Sequence, residues 1–264
     1  MVNKPVIGVA ALVFVLAAAG VYYLKVRSPP LPAAPSEPAR VASATTEPGI
    51  SHPLPQAAGN AASAAPLPEL ADSDAPLRDA LAQLSGAEAV KDFLAPQDLI
   101  RKMVVTIDNL PRQKVAVDKR PANPVAGSFI ANGDELHASI DPRNFDRYKP
   151  MVAVISRLDA KQLGALYIHY YPLFQQSYQN LGYPNGYFND RLVEVIDNLL
   201  ATPSPAGPIE LVRPNVMYVY ADPALEARPA GQKLLMRMGP ENAKAVKAKL
   251  TELRAVITAG QLKH

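Results

Sequence analysis

Cysteine and tryptophan are both missing from the 264-residue chain. Without cysteine there can be no disulfide, thiolate nucleophile, cysteine-held zinc or lipidated cysteine anchor. Histidine is scarce as well. His137 and His169 alone fall in the region that reads as folded, and His169 reads as a satisfied or surface side chain. A general base needs a partnered nucleophile or substrate in reach, and the sequence places neither beside it. The recurring catalytic and nucleotide-binding patterns H-E-x-x-H, G-x-S-x-G, Walker A and G-x-G-x-x-G do not occur. No cofactor or metal is therefore expected. Nor is there the basic stripe with interleaved aromatics of a nucleic-acid-binding surface. Residues 77–264 carry 23 Lys+Arg against 19 Asp+Glu. Much of that small surplus lies in Lys233, Arg237, Lys244, Lys247, Lys249 and Arg254, set against Glu241 and Glu252, so the rest is close to neutral.

What is present divides the chain in four. Residues 5–24 are an uncharged apolar run, and a helix of that length spans ~30 Å, the thickness of a bilayer's hydrocarbon core. Tyr22, Tyr23, Lys25 and Arg27 close it like an interfacial belt. Ala17-Ala18-Ala19 also offers a signal-peptidase site, but the apolar run continues past it, which favours an anchor over a cleaved leader. The positive-inside comparison of Lys4 with Lys25 and Arg27 is close to even. The short N-terminal tail fits a signal-anchor over 1–27 in the bacterial inner membrane, with the remainder in the periplasm. Residues 28–76 hold eleven prolines among forty-nine residues, the rest mostly Ala, Ser, Thr and Glu. Too little apolar surface is available there to offset ordering entropy, so a disordered tether is expected, reaching between ~40 and ~150 Å. Residues 77–258 read as one mostly helical domain with a small β element, followed by a tail over 259–264.

Within the domain, Ser85-Gly-Ala-Glu88 and Asp159-Ala-Lys-Gln162 have the form of capping boxes. Pro96, Asp141-Pro142 and Lys149-Pro150 are placed as helix starts. Leu99, Ile100, Met103, Val104 and Ile107 form one apolar face, and Leu163 through Leu181 form another that Pro172 should kink or divide. Asn189 is placed to cap a helix with Val193, Ile196, Leu199 and Leu200 inward. A last helix from Pro240 buries Val246, Leu250, Leu253 and Ile257. Phe129–Leu136, around Asn132-Gly133, and Glu210–Tyr220 read as hairpins.

Three groups could carry function. Asp190, Glu194 and Asp197 lie along one helix face, and two carboxylates at a suitable separation are what glycoside hydrolysis needs. Acids in a first helical turn also favour the helix dipole, and Arg191 could tie them into ion pairs. Eight of the seventeen aromatics crowd residues 167–188, so the turn bearing Tyr183 and Tyr187 could stack on a sugar or anchor a partner. Packing alone would account for such a cluster too. The C-terminal basic residues could meet an anionic surface or simply solvate the helix.

Four segments carry a resemblance. These are Leu166–Tyr178, Leu181–Pro184 with Gly186–Leu192, Ile196–Pro203, and Gly231–Glu241. Together they resemble the domain of unknown function 3014 family, which implies a membrane segment, a low-complexity spacer and a C-terminal domain in a bacterial envelope. The resemblance implies no reaction and no catalytic residue. The expectation is a membrane-anchored envelope protein whose tethered domain binds a protein or cell-wall partner without catalysis, with Tyr183, Tyr187, Arg191, Lys233 and Arg237 as binding residues. The alternative is an envelope glycan hydrolase using Asp190 and Glu194.

Overall fold

The computed structural model describes residues 49–55, 66–113, 119–134, 137–214 and 217–259. The apolar run 5–24 lies outside them, and no described helix is long and apolar enough to cross a membrane. Most of the tether expected over 28–76 also lies outside.

A short 3-10 turn (Leu70–Asp72) leads into α1 (Asp74–Ser85), α2 (Ala87–Phe93) and α3 (Leu99–Asn109). Strands β1 (Ala131–Asn132) and β2 (Ala138–Ile140) precede α4 (Arg143–Asp146), α5 (Lys149–Ser156), the long α6 (Ala160–Asn180) and α7 (Phe188–Leu200). Strands β3 (Glu210–Val212) and β4 (Val219–Tyr220), then α8 (Pro223–Glu226), α9 (Ala230–Arg237) and α10 (Pro240–Ile257), complete the domain. The protein is mostly helical with one small four-stranded antiparallel sheet in the order β1-β2-β3-β4.

The helices exist because their apolar stripes have partners. The predicted faces of α3 and α10 are buried, from Leu99 to Ile107 and from Val246 to Ile257. Helix α10 packs against α5, α6 and α7, and α3 packs against α6 and α7, making one core. Leu70 joins that core and α1 begins at Asp74, so ordered packing starts ahead of Leu77. The hairpin over Glu210–Tyr220 forms where expected. The first does not turn at Asn132-Gly133: Asn132 is a strand residue opposite Ser139, and the return strand begins at Ala138, past Leu136, because Ala138 and Ile140 are the residues that bury. The two hairpins also join each other, with Ala138 opposite Leu211. That junction puts Ala138, Ile140, Leu211 and Tyr220 against Met236 as a second, smaller core.

Several helix ends differ from the sequence reading, each for a tertiary reason. Helix α6 is one helix through Pro172, not two. The proline withholds a single backbone donor, and burial of Tyr170, Leu173 and Phe174 on either side offsets the loss. Pro96 does not start α3. That helix begins at Leu99, after Asp98 in a left-handed conformation (φ 56°). The carboxylate of Asp74, on α1, accepts from the N–H groups of Asp98 and Leu99 at 2.7 and 2.8 Å. Ser85 does not cap α2, because its hydroxyl donates back to the Leu81 carbonyl while Gly86 (φ 83°) makes the turn. Asp159 does cap α6, accepting from Lys161 and Gln162, whose own side-chain oxygen is buried without a partner, so the box is half formed.

Candidate functional site

The start of α7 is assembled by its neighbours. Asn189 is not its cap: the helix begins at Phe188, and Asn189 is fully buried within it. Gln175, on α6, performs the capping, accepting from the Phe188 N–H at 2.8 Å and donating to the Gly186 carbonyl at 2.7 Å. The Tyr171 hydroxyl donates to the same Gln175 oxygen at 2.9 Å. Tyr167 donates to Asn189 Oδ1 at 3.1 Å, which turns the Asn189 amide nitrogen outward as a donor. Burial pushes the phenols of Tyr167 and Tyr171 above the ordinary range, and the neighbouring Tyr187 adds to the shift at Tyr171. Tyr167, Tyr171 and Tyr187 form a chain of ring contacts with centroids 5.7 and 5.5 Å apart. The aromatic cluster is thus chiefly a scaffold for this helix start.

On that scaffold lies a segment from the region read as tether. Ser51 N–H donates to Asp190 Oδ2 at 3.0 Å and His52 N–H to Asp190 Oδ1 at 2.6 Å. Leu54 N–H donates to the Tyr187 hydroxyl at 3.4 Å, and Asn189 Nδ2 donates to the His52 carbonyl at 2.8 Å. His52, Leu54 and Pro55 are half-buried there. Nothing in the sequence singled out this segment or gave His52 a role. Its partners are more than 130 positions away, and the bonds are made by its backbone.

The other predicted binding residues are engaged within the domain. Tyr183 stacks on Tyr178 with centroids 4.5 Å apart, and its hydroxyl donates to Asp108 at 3.3 Å. Arg191 is largely covered. It donates to the Asp108 carboxylate at 3.1 Å, to the Asp108 carbonyl at 2.6 Å and to Glu194 at 2.8 Å. Lys233 is buried and bonded to Glu226 at 2.9 Å, and Arg237 lies over the Tyr220 ring at 5.3 Å. The acidic face of α7 is divided in the same way. Glu194 pairs with Arg191, Asp197 accepts two bonds from Arg254, and Asp190 holds the segment. On α10, Lys247 donates to the Thr202 carbonyl and Lys249 to Leu158 and Glu252, so these lysines bind neighbouring elements of the fold.

A concave feature lies elsewhere, between the sheet and the α9–α10 junction. This cleft of about 390 Å³ is lined by Asn132, Ser139, Phe145, Met236 and the loop 203–209, and among the described residues by no acid, base or tyrosine. Among the described residues, no cluster of three or more histidines or carboxylates is placed to hold a metal ion.

The molecule is therefore a helical domain with a small antiparallel sheet and an extended segment seated across one helix start. The chain belongs to the DUF3014 family of proteins of unknown function, whose model matches residues 99–254. The match takes in α3 through most of α10, including Tyr187, Asn189 and Asp190, and leaves out the docked segment. No curated protein and no solved structure matches the chain.

Proposed function

We propose that this is a non-catalytic binding protein whose domain captures an extended protein segment, held near the bacterial inner membrane by residues 5–24 and projecting into the periplasm. The observation carrying the binding reading is the seat itself: Tyr187, Asn189 and Asp190 hold Ser51–Leu54 through four hydrogen bonds to its backbone. The uncharged apolar run over 5–24 followed by a long proline-rich stretch supports the placement, because as anchor and tether they would confer reach while keeping local concentration high. A hydrolase using Asp190 and Glu194 would need both carboxyl groups to face one sugar, whereas each already serves a different partner.

Two measurements test this. A C-terminal reporter active only in the periplasm should give signal, and one active only in the cytoplasm should not; the reverse pattern overturns the placement. An array of immobilised proline-spaced heptapeptides should bind the full chain and should lose that binding with Asp190→Ala. Binding that is indifferent to Asp190 would remove this face from the proposal.

A further inference from the structure

The docked segment reads Gly-Ile-Ser-His-Pro-Leu-Pro over 49–55. From Ser51 to Pro55 only Ser51, His52 and Leu54 carry a backbone N–H, because prolines occupy 53 and 55. All three are taken by side chains at the start of α7, two by the oxygens of Asp190 and one by the hydroxyl of Tyr187, the residue before the helix. The accounting of donors is complete, which an incidental contact of a polar chain would not require. The prolines contribute twice. They remove the donors that Asp190 and Tyr187 could not serve, and they restrict the chain beforehand, since a residue preceding proline is held extended. Ile50 is 57% exposed, and Ser51 and Pro53 are also exposed, while His52, Leu54 and Pro55 are half-buried and add contact to a fit whose register the backbone bonds set. The seat reads a backbone pattern, in which two consecutive donors precede a proline and one donor follows it.

We infer that this seat takes any extended segment of that pattern, that the chain's own residues 49–55 occupy it as a latch, and that a partner protein's segment of the same pattern releases the latch by competition. The inference rests on the domain being a binding module, and it adds what the module recognises and how access is controlled. Occupancy also sets reach. With 49–55 docked, the chain between the apolar run and the domain surface is residues 28–48, twenty-one residues. At ~3.1 Å per residue that spans at most about 65 Å, against about 130 Å for the forty-two residues 28–69 that precede Leu70 in the core. Partner capture would then let the domain move outward by about as much again as its latched reach.

The test uses the full chain in detergent micelles and a fluorescein-labelled peptide Gly-Ile-Ser-His-Pro-Leu-Pro read by anisotropy. His52→Pro removes the shorter of the two donors to Asp190 from a segment outside the core, so it weakens the latch without touching the core. It should bind the peptide about tenfold more tightly than wild type, because the wild-type seat faces its own segment at an effective concentration near ~1 mM. Adding Asp190→Ala to His52→Pro should weaken peptide binding about tenfold or more. Tyr187→Phe, which deletes the acceptor for Leu54 together with the hydroxyl's contact to Tyr171, should weaken it a few fold and guards against a folding defect in the alanine variant. Equal affinity of wild type and His52→Pro overturns the latch while leaving the binding module in place. No binding to His52→Pro overturns both. A wild-type dimer in sedimentation that His52→Pro dissociates would show docking between copies and overturn the latch within one chain.

Discussion

Asp108 lies in the last turn of α3, where the helix dipole disfavours a carboxylate, and it is 3% exposed. It is held there by donors from three residues. Arg112 bonds it at 2.6 Å, Arg191 at 3.1 Å and the Tyr183 hydroxyl at 3.3 Å. Arg191 also takes the Asp108 carbonyl, closing the end of α3 and fastening it to α7. Asp108→Ala strands this guanidinium and should cost about 2–4 kcal/mol in urea unfolding followed by circular dichroism. Tyr183→Phe removes one neutral donor and should cost about 1 kcal/mol. A loss under about 0.5 kcal/mol for Asp108→Ala would contradict the strut. Asp159 supplies a pH-dependent counterpart. The bond from the Gln162 N–H, with that from Lys161 and the nearby Lys161 and Lys249 charges, holds its carboxyl below the ordinary carboxylate value against the opposing effect of burial. With the folded pKa depressed, the stabilisation is present above the ordinary value of 3.8 and is lost as pH falls below it through the folded pKa. The melting temperatures of wild type and Asp159→Ala should therefore differ at neutral pH and converge in acid.

Elements were legible in the sequence where one helix face decides the outcome and illegible where a distant side chain does. The apolar faces of α3 and α10 follow from spacing alone, because burying such a stripe needs only some partner. The starts of α3 and α7 do not. Asp74 caps one from α1 and Gln175 caps the other from α6, so local motifs at Pro96 and Asn189 pointed to wrong residues. The joining of β2 to β3 was hidden for the same reason, since two short hairpins carry no signal of which edges will meet. The candidate site was half legible. Tyr187 and Asp190 were singled out from the sequence, but what they hold lies more than 130 residues away and is bonded through its backbone. The turn between α9 and α10 gives an element-scale prediction. Gly239 has φ 84°, and a Cβ there would come within 2.5 Å of the Phe145 ring. Gly239→Ala combines a left-handed backbone with overpacking and should cost about 2–4 kcal/mol, read as a lower urea midpoint. An unchanged midpoint would mean that Phe145 has room to yield.

At the scale of the whole molecule, the tyrosines should govern alkaline stability. Burial raises the phenols of Tyr148, Tyr167, Tyr170, Tyr171, Tyr178 and Tyr220 above their ordinary value of 10.0, and pushes Tyr220 up to about 12. An acid whose folded pKa is raised is kept neutral by the fold. Stability is therefore undiminished below about pH 10 and falls as pH rises from there towards 12 and beyond. Absorbance at 295 nm should show these phenols ionising together with the loss of helical circular dichroism, later than the exposed tyrosines. The central claim remains that residues 49–55 dock on Tyr187, Asn189 and Asp190. Hydrogen exchange of the full chain in micelles tests it most directly, read at the amides of Ser51, His52 and Leu54. Docking predicts that these three exchange about tenfold or more slowly than in Asp190→Ala, while amides in the core of α6 stay equally protected in both. Exchange at the rate of an unstructured peptide in the wild-type chain would contradict it.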